Sequence, residues 1–161
     1  MELKTVELYQ YSELSDIAKE KAREWFLKGA FDYNWYEFTY EDAETIGLKI
    51  TSFDTYYNTI GGEWIESPYK VIELIKKNHG EQCETYKTAL QYESEFSKLG
   101  EDEDGNQIED ENIEDDFRRA LLEDYLIMLR KEVEYMESEE AISEAMEANE
   151  YTFLDNGTRF G

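Results

Sequence analysis

The sequence predicts an α+β fold, with a small antiparallel sheet of three to four strands packed against several helices and a long acidic helix toward the C-terminus. Its 161 residues are 40% hydrophobic and 15% aromatic, which is enough to bury a core. Alternating apolar segments near both ends and in the middle are typical of strands, and the longer segments between them have helical periodicity. We therefore expect a single domain over 1–161, with an acidic loop insertion at 101–112 and a long acidic helical region at 113–148.

The first part of the chain is predicted to form one strand and two helices. Apolar and polar residues alternate over 3–11, which is typical of a half-buried strand. Ser15 is a favourable N-cap for a helix that Gly29 ends. A second helix is expected over 36–46.

The middle of the chain is predicted to form two strands and two helices. Residues 48–57 alternate as a strand does, and Gly61-Gly62 predicts a turn into a short strand at 63–66. A Ser-Pro pair, favourable at the N-cap and the first helical position, starts a helix over 67–80. A further helix is expected over 81–99.

The longest helix is predicted over 113–137, and Ser138 breaks or recaps it before it continues to about 148. A last strand is expected at 151–154, followed by a tight turn. The long helix carries an apolar stripe with coiled-coil-like spacing, which leaves open whether it packs within the monomer or across a homodimer. The stripe consists of Leu122, Leu126, Leu129, Val133 and Met136.

The overall charge excludes several classes of protein. Forty acids stand against 16 Lys and Arg, for a net charge of −24. A conventional nucleic-acid-binding domain needs basic surface to neutralise phosphates, so we expect no direct binding of nucleic acid. We also expect no membrane span and no signal peptide. The single cysteine, Cys83, cannot form an internal disulfide, which favours a reducing, cytoplasmic compartment.

The negative charge is concentrated in one part of the chain. Residues 101–150 carry a net charge of −16, two thirds of the total. Within them, 101–116 hold ten acids and no base, and 132–150 hold eight acids and no base. The asymmetry predicts an acidic face or arm that binds a basic partner. The candidate partner-binding residues are Glu101, Asp102, Glu103, Asp104, Glu109, Asp110, Glu111, Glu114, Asp115, Asp116, Glu132, Glu134, Glu137, Glu139 and Glu140.

Other patterns favour structure over chemistry. His79 and Cys83 suggest a cysteine nucleophile with its base, but a helix end followed by a small buried thiol is the more favoured interpretation. The acids around Gly105 lack the spacing of a calcium loop, and no other pattern indicates a metal or a cofactor. The aromatic residues over 25–40 are expected to be mostly core, with one or two exposed.

Several motifs in the first ninety residues resemble a group of small acidic proteins encoded by phages and prophages. The resemblance covers about 5–90 and the terminal strand, and it implies a phage or mobile-element origin. By analogy, it implies an anti-CRISPR or antirestriction inhibitor acting in the host bacterial cytoplasm. The motifs are Glu7-Leu8-Tyr9, Glu13-Leu14-Ser15, Ala18-Lys19-Glu20-Lys21-Ala22-Arg23-Glu24-Trp25, Ile46-Gly47-Leu48-Lys49-Ile50, Phe53-Asp54, Asn78-His79-Gly80 and Cys83-Glu84-Thr85-Tyr86.

Charge and resemblance together predict a non-enzymatic inhibitor. Its 24 excess charges match those on about 12 base pairs of DNA, a length similar to the diameter of about 40 Å expected for a chain of this size. The expected partner is a basic nucleic-acid-binding protein, either a CRISPR effector or a restriction-type nuclease. The alternatives are an antitoxin-like or regulatory protein for another basic partner and, less favoured, a Cys/His enzyme.

Overall fold

The computed structural model describes residue 3 and residues 5–160. The chain divides into two compact units. The central unit comprises residues 36–130, and the terminal unit comprises the described residues before 36 and after 130. Each unit is considered by itself below. The expectation of one domain over 1–161 stays a prediction.

The described residues form six α-helices and two separate antiparallel sheets of two strands each, so the class is α+β. The helices are α1 Asp16–Ala30, α2 Glu37–Thr45, α3 Pro68–Asn78, α4 Glu84–Ser97, α5 Glu111–Met136 and α6 Glu139–Ala148. The strands are β1 Leu48–Asp54, β2 Thr59–Trp64, β3 Thr152–Phe153 and β4 Arg159–Phe160. A short 3₁₀ helix covers Tyr11–Glu13.

Three predicted helix starts are confirmed by side-chain caps. The hydroxyl oxygens of Ser15, Ser67 and Ser138 accept hydrogen bonds from backbone amides in the first turns of α1, α3 and α6. The Ser138 cap divides the predicted helical region 113–148 into two helices. The acidic loop is shorter than 101–112 because α5 begins at Glu111.

The predicted sheet of three to four strands is wrong in size, because the strand expected over 3–11 does not form. Among its described residues, only Tyr9 pairs, in an isolated bridge with Phe153, and Lys4 lies outside the described residues. Val6 and Leu8 are exposed, so their alternation places no apolar face against a core.

The position of the hairpin turn between β1 and β2 also differs from the prediction. Gly61 and Gly62 lie inside β2, and the turn falls before them, where Asp54 Oδ1 accepts hydrogen bonds from the amides of Tyr56 and Tyr57. A Cβ on Gly62 would lie 2.7 Å from both Leu122 Cδ2 and the carbonyl oxygen of Lys49. Gly62 therefore serves close packing of the strand under α5 rather than a turn.

The central unit has its own apolar core. Side chains from α2, β1, α3, α4 and the first part of α5 meet there, including Ile46, Ile75, Phe96, Phe117 and Leu121. The ring centroids of Phe96 and Phe117 lie 6.0 Å apart.

The terminal unit has a smaller core, built from Tyr11, Ala22, Ile142, Met146 and Phe153. It brings the 3₁₀ helix, α1, α6 and β3 together. Within the described part of the chain, no helix is both long enough and apolar enough to cross a bilayer.

Candidate functional site

The acidic loop after α4 is a defined turn. Glu101 and Gln107 form an isolated antiparallel bridge, and the amide of Asp102 donates to the carbonyl of Asn106 at 2.8 Å. Asp102 Oδ1 accepts hydrogen bonds from the amides of Asp104 and Asn106, each at 2.9 Å. Gly105 occupies the left-handed region at φ 79°. The loop backbone is thus satisfied by its own residues, and Asp102 is one of the groups that shape it.

The turn is also fastened to α4. The side-chain amide of Gln107 donates to the carbonyl oxygen of Phe96 at 3.2 Å and to that of Gly100 at 3.4 Å. All residues from 101 to 109 are nevertheless exposed. Among the described residues, no base forms an ion pair with the carboxylates of Glu101, Glu103, Asp104 or Glu109. Glu101, Glu103 and Asp104 are therefore presented to solvent from a hydrogen-bonded turn, and Glu109 lies just after it.

The start of α5 continues the acidic surface. Asp110 Oδ1 accepts hydrogen bonds from the amides of Asn112 at 2.9 Å and Ile113 at 3.3 Å, so Asp110 caps the helix. Partial burial raises the pKa of Glu114, and the neighbouring carboxylates of Glu109, Glu111, Asp115 and Asp110 raise it further. These five acids form one crowded cluster in the central unit. Arg118 lies 3.4 Å from Asp115 and offsets part of this charge.

The later candidate acids lie in the terminal unit. Glu132, Glu134, Glu137, Glu139 and Glu140 are all exposed. The structure thus assigns the candidates at 101–116 to one unit and those at 132–140 to the other.

Glu139 differs from the other later acids because it has partners within the chain. Its carboxylate accepts hydrogen bonds from the Tyr11 hydroxyl at 2.7 Å and from Arg23 at 2.8 Å. Burial alone would raise the pKa of Glu139, but these hydrogen bonds outweigh burial and hold it below its usual range. Burial and the bond to Glu139 raise the pKa of Tyr11 to about 12. Glu139 therefore ties α6 to α1, and Arg23 neutralises part of the charge that it could present to a partner.

The only histidine, His79, lies in a polar cluster of the central unit, where its side chain is 8% exposed. Its Nδ1 lies 2.6 Å from the hydroxyl of the buried Thr85, and its Nε2 lies 3.0 Å from Asp42 Oδ2. The contact between Nε2 and Asp42 does not have the geometry of a hydrogen bond. Both ring nitrogens therefore face groups other than Cys83, which occupies the N-cap position of α4 without a capping hydrogen bond from its side chain.

Asp42 joins the cluster to α5. Its Oδ2 accepts a hydrogen bond from the Tyr125 hydroxyl at 3.0 Å. The contact with His79 lowers the pKa of Asp42 most, and the Tyr125 bond lowers it further, against the effect of burial. Burial, followed by the nearby Asp42 charge, raises the pKa of Tyr125. The sequence analysis missed Asp42 and Tyr125 because they lie 37 and 46 positions from His79; a lone histidine at a helix end was the available signal.

The aromatic stretch over 25–40 is divided between packing and exposure. In the central unit, the rings of Tyr36, Tyr40 and Phe53 lie 5.0–6.0 Å apart. Tyr33 and Phe38 are 61% and 81% exposed. Trp25 is also exposed, at 39%, and the other five aromatic residues of the stretch are half-buried. The expectation of a mostly buried stretch with one or two exposed rings is therefore wrong.

No group of three or more His, Cys, Asp or Glu side chains in the described part of the chain is placed to hold a metal ion. Comparison of the chain with protein-family models, with curated proteins and with solved structures finds no match. The resemblance to phage proteins therefore stays a prediction, and function has to be argued from the surfaces themselves.

Proposed function

We propose that this chain is a phage-encoded, non-enzymatic inhibitor of a host defence nuclease. Its acidic residues occupy a basic channel that normally holds DNA or RNA, as in a CRISPR effector, and so keep nucleic acid out. CRISPR effectors fit this proposal because they hold the guide–target heteroduplex in a positively charged channel through backbone contacts.

The observation that carries the proposal is the fixed acidic turn at 101–107 together with the crowded start of α5. A disordered acidic tail would lose conformational entropy on binding, whereas this turn already has its backbone hydrogen bonds. The carboxylates of Glu101, Glu103 and Asp104 are exposed and can therefore meet the basic side chains of a partner.

Crowding of like charge gives the second argument. Glu114 has a raised pKa because burial and four neighbouring acids disfavour its charged form. Lys and Arg from a partner would relieve this repulsion, so binding would gain favourable electrostatic energy in addition to faster association. A protein with a net charge of −24 is also repelled by nucleic acid itself, which makes a basic protein the fitting partner.

The polar cluster around His79 supports binding over catalysis. A cysteine nucleophile needs a base within hydrogen-bond reach of its sulfur. The two nitrogens of His79 lie against Thr85 and Asp42, and Thr85 is fully buried. This geometry suits a structural tie better than a reaction centre.

The proposal is tested with two variants that have the same net charge but neutralise acids at different positions. One variant carries Glu101→Gln, Glu103→Gln, Asp104→Asn and Glu109→Gln, and leaves the shaping residues Asp102 and Asp110 intact. The matched control carries Glu41→Gln, Glu44→Gln, Glu63→Gln and Glu81→Gln, which are exposed acids of the same unit. Both variants have the same net charge. Each is assayed against a panel of CRISPR effectors and restriction nucleases for displacement of fluorescent target DNA.

We expect the wild-type chain to displace DNA from a nuclease, the loop variant to bind at least about tenfold more slowly, and the control to resemble the wild type. Affinity should fall as salt rises from 0.1 M to 1 M, where the Debye length falls from about 10 Å to about 3 Å. Binding that saturating target DNA does not weaken would contradict competition for the channel. Equal effects of both variants would show that net charge alone matters.

A further inference from the structure

A groove in the terminal unit has aromatic walls. It measures about 720 Å³ and lies among the end of α1, the last turn of α5 and α6. Trp25, Phe26, Tyr33, Tyr135 and Tyr151 contribute rings to its walls. A groove of this size is in the range that proteins use to hold small ligands or side chains.

Three of these rings keep much of their surface in solvent. Trp25, Tyr33 and Tyr135 are 39%, 61% and 50% exposed. A single exposed aromatic residue needs no explanation, but several rings on one groove are typical of a binding surface. Their π faces attract a cation placed over them.

The rim of the groove is acidic. Asp32 and Glu132 line it, and a carboxylate oxygen of Glu144 lies 3.5 Å from the Tyr135 hydroxyl. The nearby charge of Glu144 raises the pKa of Tyr135 above its usual range. Lys28 is the one basic side chain among the lining residues, and Arg159 lies over two of the rings; together they oppose this field in part. A ligand that combines a flat apolar face with positive charge complements such a groove.

Two of the groove's rings already contact a guanidinium of the same unit. The guanidinium carbon of Arg159 lies 4.8 Å from the ring centroid of Tyr151 and 5.6 Å from that of Trp25. Arginine suits such a setting better than lysine because its planar group stacks on rings and pairs with carboxylates through two hydrogen bonds at once.

We propose that the groove binds an arginine side chain on a flexible basic segment of the partner protein. The proposal deepens the proposed function, because the same basic partner supplies the segment. Arg159 already lies over Trp25 and Tyr151, so the partner's guanidinium stacks against Tyr135 and pairs with Glu132 or Asp32. The groove thus gives shape-dependent recognition, which the solvent-exposed carboxylates of the acidic turn do not.

The test uses the full chain and a labelled ten-residue Gly/Ser peptide that carries three arginines. The control peptide replaces each arginine by citrulline, which keeps the shape and removes the charge. A third peptide carries lysine. Fluorescence anisotropy is expected to show binding of the arginine peptide, binding at least about tenfold weaker for citrulline, and intermediate binding for lysine.

Variants place the binding in the groove. Tyr135→Leu is expected to weaken binding of the arginine peptide about three- to tenfold, and Glu132→Gln to weaken it by a similar factor. The matched controls are Tyr56→Leu, at a tyrosine that is 86% exposed in the central unit, and Glu41→Gln. Both controls should bind as the wild type does. Circular dichroism checks that all four variants are folded.

Equal binding of the arginine and citrulline peptides would overturn the proposal, as would equal losses for Tyr135→Leu and Tyr56→Leu. Lysine binding as tight as arginine would overturn the preference for a guanidinium. Failure here is separable from failure of the proposed function. A chain that displaces DNA from a nuclease without binding the peptide overturns the groove alone, and a chain that binds the peptide without inhibiting any nuclease overturns the inhibitor alone.

Discussion

At the residue scale, the carboxylate of Asp42 stabilises the fold through its contact with His79. This contact links the end of α3 to α2, and the Tyr125 bond extends it to α5. The pKa of Asp42 lies below its usual range, chiefly because of the His79 contact. A carboxylate with a lowered pKa stabilises the folded state when it is ionised. Its contribution is present above the ordinary pKa of about 4 and is lost as pH falls through the lower folded pKa.

We therefore expect Asp42→Asn to reduce the free energy of unfolding by about 1 kcal/mol at pH 7. This is a low value for an ionised hydrogen-bond acceptor, because Asp42 is partly exposed and screened by solvent. The difference from wild type should shrink as pH falls below about 4, where Asp42 of the unfolded chain becomes protonated, and should be lost below the lower pKa of folded Asp42. Urea unfolding at several pH values measures both effects. Glu44→Gln, an exposed charge on the same helix, is the control, and a deficit that persists unchanged at low pH would contradict the assignment.

At the element scale, the acids at the start of α5 have two different duties. Asp110 caps the helix with two backbone hydrogen bonds, whereas Glu109 beside it only adds to the crowding around Glu114. Adjacent residues of the same charge therefore act on stability in opposite directions.

Asp110→Ala is expected to lower the free energy of unfolding by about 0.5–2 kcal/mol, which is the usual loss for a helix cap. Glu109→Ala removes the same charge without a cap, so its stability should equal or slightly exceed that of wild type. Chemical denaturation of the two variants in parallel measures the difference. Similar losses in both would mean that Asp110 contributes charge alone.

Prediction from sequence succeeds at this scale where the signal is local. Ser15, Ser67 and Ser138 cap the predicted helices because a cap needs only a hydroxyl next to the first turn. The prediction of a strand at 3–11 is wrong because alternation of apolar and polar residues cannot show whether a partner strand exists. The prediction of a turn at Gly61-Gly62 is wrong because glycine at position 62 is required by close packing against Leu122, sixty positions later.

The candidate site divides in the same way. The acidic segment at 101–116 could be predicted from the composition of the sequence. The structural roles of Asp102, Asp110 and Glu139 could not be predicted from the sequence. Each role depends on which backbone or side-chain donor the fold brings to the carboxylate. The contact of His79 with Asp42 likewise joins two helices that local patterns cannot pair.

At the scale of the whole molecule, the net charge of −24 sets a cost for folding. Self-repulsion destabilises a compact state, and salt screens that repulsion. Under the proposed function the same salt weakens association with a basic partner, so stability and binding should respond to salt in opposite directions.

We expect the thermal unfolding midpoint to rise between 0.01 M and 0.1 M NaCl, where the Debye length falls from about 30 Å to about 10 Å. Each kcal/mol of relieved repulsion should raise the midpoint by about 2–4 °C for a chain of this size. Differential scanning calorimetry measures the shift. The variant with four acids neutralised in the loop should shift less, and a midpoint that is independent of salt in both would contradict a destabilising role for the charge.

In the turn at 101–107, the residues that determine the shape of the backbone differ from those that carry the exposed charges. Asp102 and Gly105 determine the backbone path, and the side chains at 103 and 104 take no part in it. Substitutions at those two positions can therefore accumulate without refolding the loop. Under the proposed function, such a loop allows recognition of a changing target to vary from one generation to the next while the backbone of the loop is kept.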